Sequence, residues 1–255
     1  MNKIFIFLVL VFINFSCSQE KKSNELNSNK NNMNPYEIIV NIPESSWICH
    51  YNKTGSFFIA HDEWSIFEIN DSWKILREKN IGKYDFEWIV CNQENWTLYT
   101  LIENTWNILE IWIDNLELIK EIDLKISKKD RKKYFNNKSW AEGLAINWET
   151  IYISTKAEKN NLLEFRFSEN KEELIFEKKY NVSSNDLSWM TFHNNILHII
   201  SDKNDSLYTY DLENEKITET IKLESWNWEG IVFNKTWELF LADDTWNIVK
   251  YILDK

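Results

Sequence analysis

The sequence predicts an all-β fold, a single five-bladed β-propeller closed by a strand from the N-terminal side of the domain. Three observations predict it: five internal repeats, alternation of strand and turn residues inside each repeat, and one spare strand ahead of the first. The repeats are SSWICHYNKTGSFFIAHDEWSIFEI from Ser45, FEWIVCNQENWTLYTLIENTWNILEI from Phe86 and AEGLAINWETIYISTKAEKNNLLEF from Ala141. LSWMTFHNNILHIISDKNDSLYTYDL from Leu187 and WEGIVFNKTWELFLADDTWNIVKYIL from Trp228 complete the set. Anchored on Trp47, Trp88, Gly143, Trp189 and Gly230, they are spaced by 41, 55, 46 and 41 residues. A four-stranded propeller blade occupies roughly 40–50 residues.

Within each unit, short β-branched and aromatic runs are separated by turn residues, as in IVF, NKTW, ELFLA, DDTW and NIVKYI of the last. That pattern reads as hairpin-connected strands. A fourth strand follows in the first four units: KILREKN, LELIKEIDL, EELIFEKKY and ITETIKL. The fifth has only three, and YEIIVNI (Tyr36 to Ile42) supplies the missing one by pairing beside NIVKYIL. Such pairing closes the ring and covers an open sheet edge, which is otherwise a route to aggregation. An open β-sandwich or a β-helix would leave the spare strand without a role. The long spacing of 55 falls on Asn115–Ser139, the segment where a sixth blade would lie.

Residues 1–17, MNKIFIFLVLVFINFSC, have one Lys, an apolar run and a small Ser16 before Cys17. The run has the shape of a secretory signal and is too short to span a bilayer. Cys17 after a small residue resembles a bacterial lipoprotein signal, in which that cysteine carries the lipid. Asn14 departs from the pattern, and an ordinary cleaved signal is the alternative. Residues 18–35 are polar and rich in Asn, Lys and Ser, a composition that cannot offset its ordering entropy by burial and reads as a tether. Residues 36–255 form the propeller domain. Cys49 and Cys91 are expected to be buried thiols, because their positions differ by one residue in the repeat and successive side chains point to opposite strand faces.

The chain of 255 residues carries 14 Trp and only 4 Gly, against the roughly 18 Gly that average usage of about 7% implies. The two residues interchange at equivalent places. Anchors read SW, EW, EG, SW and EG, and NKTG from Asn52 matches NKTW from Asn234. Hairpin corners of this kind need φ > 0, which Gly adopts freely and a bulky residue does not. These tryptophans therefore read as glycine positions, written as Trp where a UGA codon of a Gly-reading lineage is translated with a Trp-reading table. The competing hypothesis is a Trp-rich surface that stacks on carbohydrate.

With glycine at those places the repeats become S-G-I, F-E-G-I-V, A-E-G-L-A, D-L-S-G-M and E-G-I-V-F. Together with D-D-T-G-N-I and I-S-D-K-N-D, they resemble the SdiA-regulated (YjiK-like) family of bacterial envelope proteins. The resemblance runs from Pro35 to Lys255 and is strongest from Asp186 to Tyr251; other propellers with E-G starts share the motifs. It implies a secreted or membrane-attached β-propeller.

Glu87, Glu142 and Glu229 directly precede the anchor in three repeats, with Asp186 close by in a fourth. First strands line a propeller's channel, so these acids are expected at one mouth, within reach of a single cation. Ca²⁺ is the candidate, since hard cations take carboxylate oxygens and Ca²⁺ tolerates irregular geometry. A second acidic ring, Asp62, Glu63, Glu103, Asp202 and Asp243, with Asp244 beside it, falls at the ends of second strands; turn capping is the alternative role there. G-x-S-x-G, H-E-x-x-H, P-loop and paired C-x-x-C patterns do not occur. Of the four histidines, His193 and His198 read as satisfied strand residues, and His61 is the one with acids beside it. A formal net charge of −11 argues against a nucleic-acid surface, which needs a clustered basic footprint. The sequence thus points to a non-catalytic propeller lipoprotein of the cell envelope that binds a ligand or protein, held to the membrane by a lipid. A Ca²⁺-dependent hydrolase with its site in the channel is the alternative.

Overall fold

A six-residue strand, β1 (Tyr36–Asn41), is followed by five inner strands and their hairpin partners, all drawn from the β-branched and aromatic runs of the repeats. The computed structural model describes residues 35–253 apart from 43–44, 62–63, 85, 103–104, 136–139, 157–159, 185 and 244. Residues 1–34, on which the expected signal, Cys17 and nearly all of the expected tether fall, lie outside the described residues.

The first repeat forms β2 (Ser45–Tyr51), β3 (Ser56–His61), β4 (Ser65–Ile69) and β5 (Ile75–Asn80), an antiparallel meander in that order. The second gives β6 (Phe86–Asn92), β7 (Thr97–Ile102), β8 (Ile108–Trp112) and β9 (Leu118–Lys125). A short helix, α1 (Lys128–Tyr134), then leads to β10 (Trp140–Asn147), β11 (Thr150–Lys156), β12 (Asn161–Phe167) and β13 (Glu173–Tyr180). The fourth repeat forms β14 (Trp189–His193), β15 (Ile196–Ser201), β16 (Ser206–Asp211) and β17 (Lys216–Lys222). In the fifth, β18 (Trp228–Phe233), β19 (Leu239–Asp243) and β20 (Asn247–Tyr251) are completed by β1.

The closure pairs Ile38 with Val249, Val40 with Ile248 and Asn41 with Asn247. Inner strands pack on one another in the order β2, β6, β10, β14, β18 and back to β2, so the sheets radiate from one axis. This is a β-propeller. Its core lies between facing sheets: Ile59, Ile69, Phe240 and Ile248, for example, pack the last sheet against the first with at most 3% exposure.

The 55-residue spacing has a local cause. Ser127 caps α1, its hydroxyl accepting the Asp130 N–H at 3.1 Å, and the helix end buries Tyr134 and Phe135 against the β12–β13 side. Asn115–Ser139 thus holds β9 and a helix, with no further sheet among the described residues. Outer strands β9 and β13 also pair, in parallel, through Leu174 and Leu124. The helix and this pairing fill the wedge that widens between two sheets with distance from the axis.

Among the described residues, the hairpin corners use the left-handed region. Corners joining first and second strands hold Gly55, Trp96, Trp148, Asn195 and Trp237, with φ between 56° and 73°. Those joining second and third strands hold Trp64, Trp106, Asp205 and Trp246, and those joining third and fourth hold Trp73, Leu116, Lys171 and Glu215. Seven tryptophans therefore have positive φ, at corners whose equivalents carry Gly, Asn or Asp as well as Leu, Lys or Glu.

The expectation for the cysteines needs correction. Cys49 and Cys91 form a disulfide between β2 and β6, with Cα atoms 5.7 Å apart. Opposite strand faces are what brings them together: in radiating sheets, one face of a blade meets the other face of its neighbour. The one-residue offset, read as separating the two thiols, is the geometry that joins them.

Candidate functional site

All five inner strands start at the same end of the axis, since each four-stranded meander returns the chain to its starting end. Near that end four of them slip register at one level: between Ser45 and Trp47, Phe86 and Trp88, Ala141 and Gly143, and Trp228 and Gly230. The residue skipped in each is Ser46, Glu87, Glu142 or Glu229. The repeated acids are thus bulge residues, and bulges re-aim side chains and recur beside active sites. Glu142 and Glu229 are half-buried, while the side chain of Glu87 lies outside the described residues. Among the described residues no group of three or more His, Cys, Asp or Glu side chains is placed to hold a metal ion.

The anchors just inside this mouth show how closely the inner strands approach. A Cβ on Gly143 would lie 2.4 Å from the Ser188 carbonyl oxygen, a distance no side chain tolerates. Trp47, Trp88 and Trp189 fill the equivalent level with indole rings. The Trp47 ring lies, tilted, 5.4 Å from that of Trp88 in the adjacent sheet and 6.0 Å from that of Trp189, which belongs to a sheet that is not its neighbour. Those rings meet across the axis at the level of the anchors.

Of the second acidic ring, Asp62, Glu63 and Glu103, and Asp244 beside it, lie outside the described residues. Asp202 and Asp243 start equivalent turns, accepting at their carbonyl oxygens from Asp205 N and Trp246 N, both at 3.1 Å. The Asp243 carboxylate, with no exposed surface, accepts from Thr245 N at 2.8 Å, Asn247 N at 3.0 Å and Trp226 Nε1 at 2.9 Å. It is a turn cap, the alternative role weighed above. Asp186, 2% exposed, holds the fourth repeat in the same way, accepting from Ser188 Oγ at 2.8 Å and Lys203 N at 3.3 Å.

His193 and His198 lie diagonally across the β14–β15 hairpin, Thr191 facing His198 and His193 facing Ile196. Both are buried, but they are not satisfied as the sequence implied: His193 Nε2 and both His198 ring nitrogens lack partners. Phe233, 4.7 Å from His198, and Trp237, 4.0 Å from His193, surround them with ring faces in place of acceptors. Burial pushes the His198 imidazole down to about 4, helped by His193. His61 packs on Phe67 at 5.7 Å.

The axis opens into a cavity of about 270 Å³ towards the opposite mouth, where the inner strands end. Its walls are apolar side chains such as Ile48, Val90 and Val232, and its mouth carries His50, Asn92, Asn147 and Asn194. Gln93 fastens two sheets there: its Nε2 donates to the His50 carbonyl at 2.7 Å and its Oε1 accepts Asn52 N–H at 2.9 Å. Sequence reading overlooked this mouth. The available signal was an Asn directly at or after the end of every inner strand: Asn52, Asn92, Asn147, Asn194 and Asn234.

No family model and no curated protein sequence matches the chain. Among solved structures, it is similar to glutaminyl cyclase of Myxococcus xanthus, with a TM-score of 0.63 at 10% identity, covering 86% of this chain and 97% of that one. Hydrazine synthase of Kuenenia stuttgartiensis matches at a TM-score of 0.51 and 15% identity, over 80% of this chain and 57% of that one. The β-propeller domain of Myceliophteria thermophila Cps50 (Swd1) matches at 0.50 and 8% identity, over 86% and 100%. At such identities the likeness carries the fold alone, and it agrees with the radiating sheets: the chain is a β-propeller.

Proposed function

We propose that this chain is a non-catalytic binding propeller of the bacterial cell envelope, akin to SdiA-regulated proteins and held to the membrane by lipid on Cys17. The observation that supports the binding role is the set of register breaks at one level of the inner strands, where Glu87, Glu142 and Glu229 are the skipped residues. The Cys49–Cys91 disulfide supports the location, since disulfides persist in oxidising compartments and are rare in the cytosol.

The second reading is a Ca²⁺-dependent hydrolase using the same three carboxylates. Shared bulge positions motivate it too, since carboxylates re-aimed at one level would suit a hard cation if they converge. Two measurements test the proposal. Membrane fractionation of cells expressing the protein and its Cys17→Ala variant should find the first with membranes and the second released. Hydrolysis of lactone or phosphate-ester substrates that disappears with chelator and in Glu142→Gln would overturn the non-catalytic role.

A further inference from the structure

We infer that the axial cavity at the mouth opposite the acids is a binding site for a small uncharged polyol, of the size and chemistry of a monosaccharide. The inference rests on the binding role proposed above and gives that role a ligand class and a place.

Size comes first. Cavities that enclose drug-sized ligands run from about 300 to 1,000 Å³, and this one is about 270 Å³, which suits a single sugar ring. Charge comes second. The one carboxylate among its lining residues, Glu94, is exposed at the rim. Lys235, also exposed, lies close enough to act on His50 from the same side. The interior presents amides, imidazoles and apolar walls, and a charged ligand there would lose its hydration without a partner of opposite sign.

Hydrogen-bond capacity comes third. His50 is 5% exposed and its Nδ1 lies 3.0 Å from Asn52 Oδ1. A neutral imidazole has one N–H donor and one lone-pair acceptor, and the Asn52 amide engages it at Nδ1. Burial lowers the affinity of this imidazole for a second proton, outweighing its bonds to Asn52 and the Gly55 backbone, with Lys235 and His193 acting in the same direction as burial. The ring is therefore a neutral polar group at the mouth near pH 7, without the charge that would recruit an anion. Asn147 and Asn194, from two other sheets, add amides that both donate and accept. Vicinal hydroxyls, each donor and acceptor, match that set.

Rigidity comes fourth. The two bonds of Gln93 tie the end of β2 to the turn after β6, and the disulfide joins the same strands one level deeper. The side of the mouth that bears His50 is thus fixed before a ligand arrives, which reduces the ordering cost of binding.

The test is isothermal titration calorimetry of the full folded domain against glucose, galactose and N-acetylglucosamine, with glucuronate and glucosamine as charged counterparts. At least one neutral sugar should bind saturably, and its charged counterparts about tenfold more weakly or worse. Gln93→Ala and Asn147→Leu should each weaken binding about tenfold, with their melting curves checked against the parent. Absence of heat from every neutral sugar up to about 50 mM, or equal binding of charged counterparts, would overturn the inference. So would unchanged affinity in a folded Asn147→Leu variant. If a variant does not fold, the ligand panel on the unaltered protein still decides. Failure of the panel removes the channel ligand and leaves the binding role intact, whereas chelator-sensitive hydrolysis removes the binding role whatever the panel gives.

Discussion

Replacing Trp64, Trp148 and Trp246 together by glycine is expected to stabilise the domain. The three sit at hairpin corners with φ of 75°, 57° and 71°, are 38%, 63% and 42% exposed, and make no ring contact among the described residues. A left-handed backbone costs an L-residue roughly 1–2 kcal/mol, and glycine returns about 0.5–1 kcal/mol of that through the entropy of the unfolded chain. The net gain is about 0.5–1 kcal/mol per site, or roughly 2 kcal/mol for three. In a domain of this size 1 kcal/mol moves the midpoint by about 2–4 °C, so thermal denaturation should shift upwards by roughly 4–8 °C. Trp73 is the internal control: its indole stacks 4.8 Å from Phe57 and 5.0 Å from Phe240, and Trp73→Gly should lower the midpoint by emptying that space. A triple variant that melts below the parent would refute the claim that these corners want glycine. Peptide mass spectrometry of natively expressed protein tests the recoding itself. Seven left-handed tryptophans would together cost about 7–14 kcal/mol, comparable with a domain's whole stability of about 5–15 kcal/mol. Glycine is therefore expected at these positions, and tryptophan at Trp246 would end the hypothesis.

Three other outcomes are expected. Cys49→Ser with Cys91→Ser should destabilise the domain by about 4 kcal/mol in denaturant titration, since the bond closes a loop across a sequence separation of 42; an equal stability of reduced and oxidised protein would contradict this. His198, held neutral by burial with its pKa pushed down to about 4, binds its proton more readily when unfolded. Its contribution is complete above about pH 6.5 and falls by about 3 kcal/mol as pH drops from 6.5 to 4, so His198→Phe should flatten that part of the stability profile. Asp243→Asn turns an amide N–H₂ towards the Trp226 or Thr245 donors that the carboxylate accepts, and should cost about 1–3 kcal/mol, read as a lower denaturation midpoint with the native circular-dichroism spectrum.

Much of the candidate site was legible because it repeats. The alignment put Glu87, Glu142 and Glu229 at one level of the inner strands, and the register breaks in β6, β10 and β18 fall there. That the level is a bulge was not legible, since a skipped residue appears only when the partner strand is in place. Asp243 reads in the sequence as a member of a second acidic ring with turn capping as the alternative, because its identity does not say whether N–H groups or a cation will reach it first; in the structure it accepts from nearby N–H groups. His193 and His198 looked satisfied, and their neighbours Phe233 and Trp237 come from the next sheet, more than thirty residues away in sequence.

The sequence by itself determined what depends on local order. Strand and turn alternation, the repeat length, the corners that require φ > 0 and the spare strand for β20 are all written within a few residues of where they act, or copied from one repeat to the next. Tertiary structure alone decided what depends on the angle between repeats. In radiating sheets the faces that meet are opposite faces of successive blades. That arrangement turned the one-residue offset between Cys49 and Cys91 into a disulfide, and it set Gln93 against the His50 carbonyl. By the same packing, the axial cavity gathered its lining from five strands spread from Ile48 to Phe233.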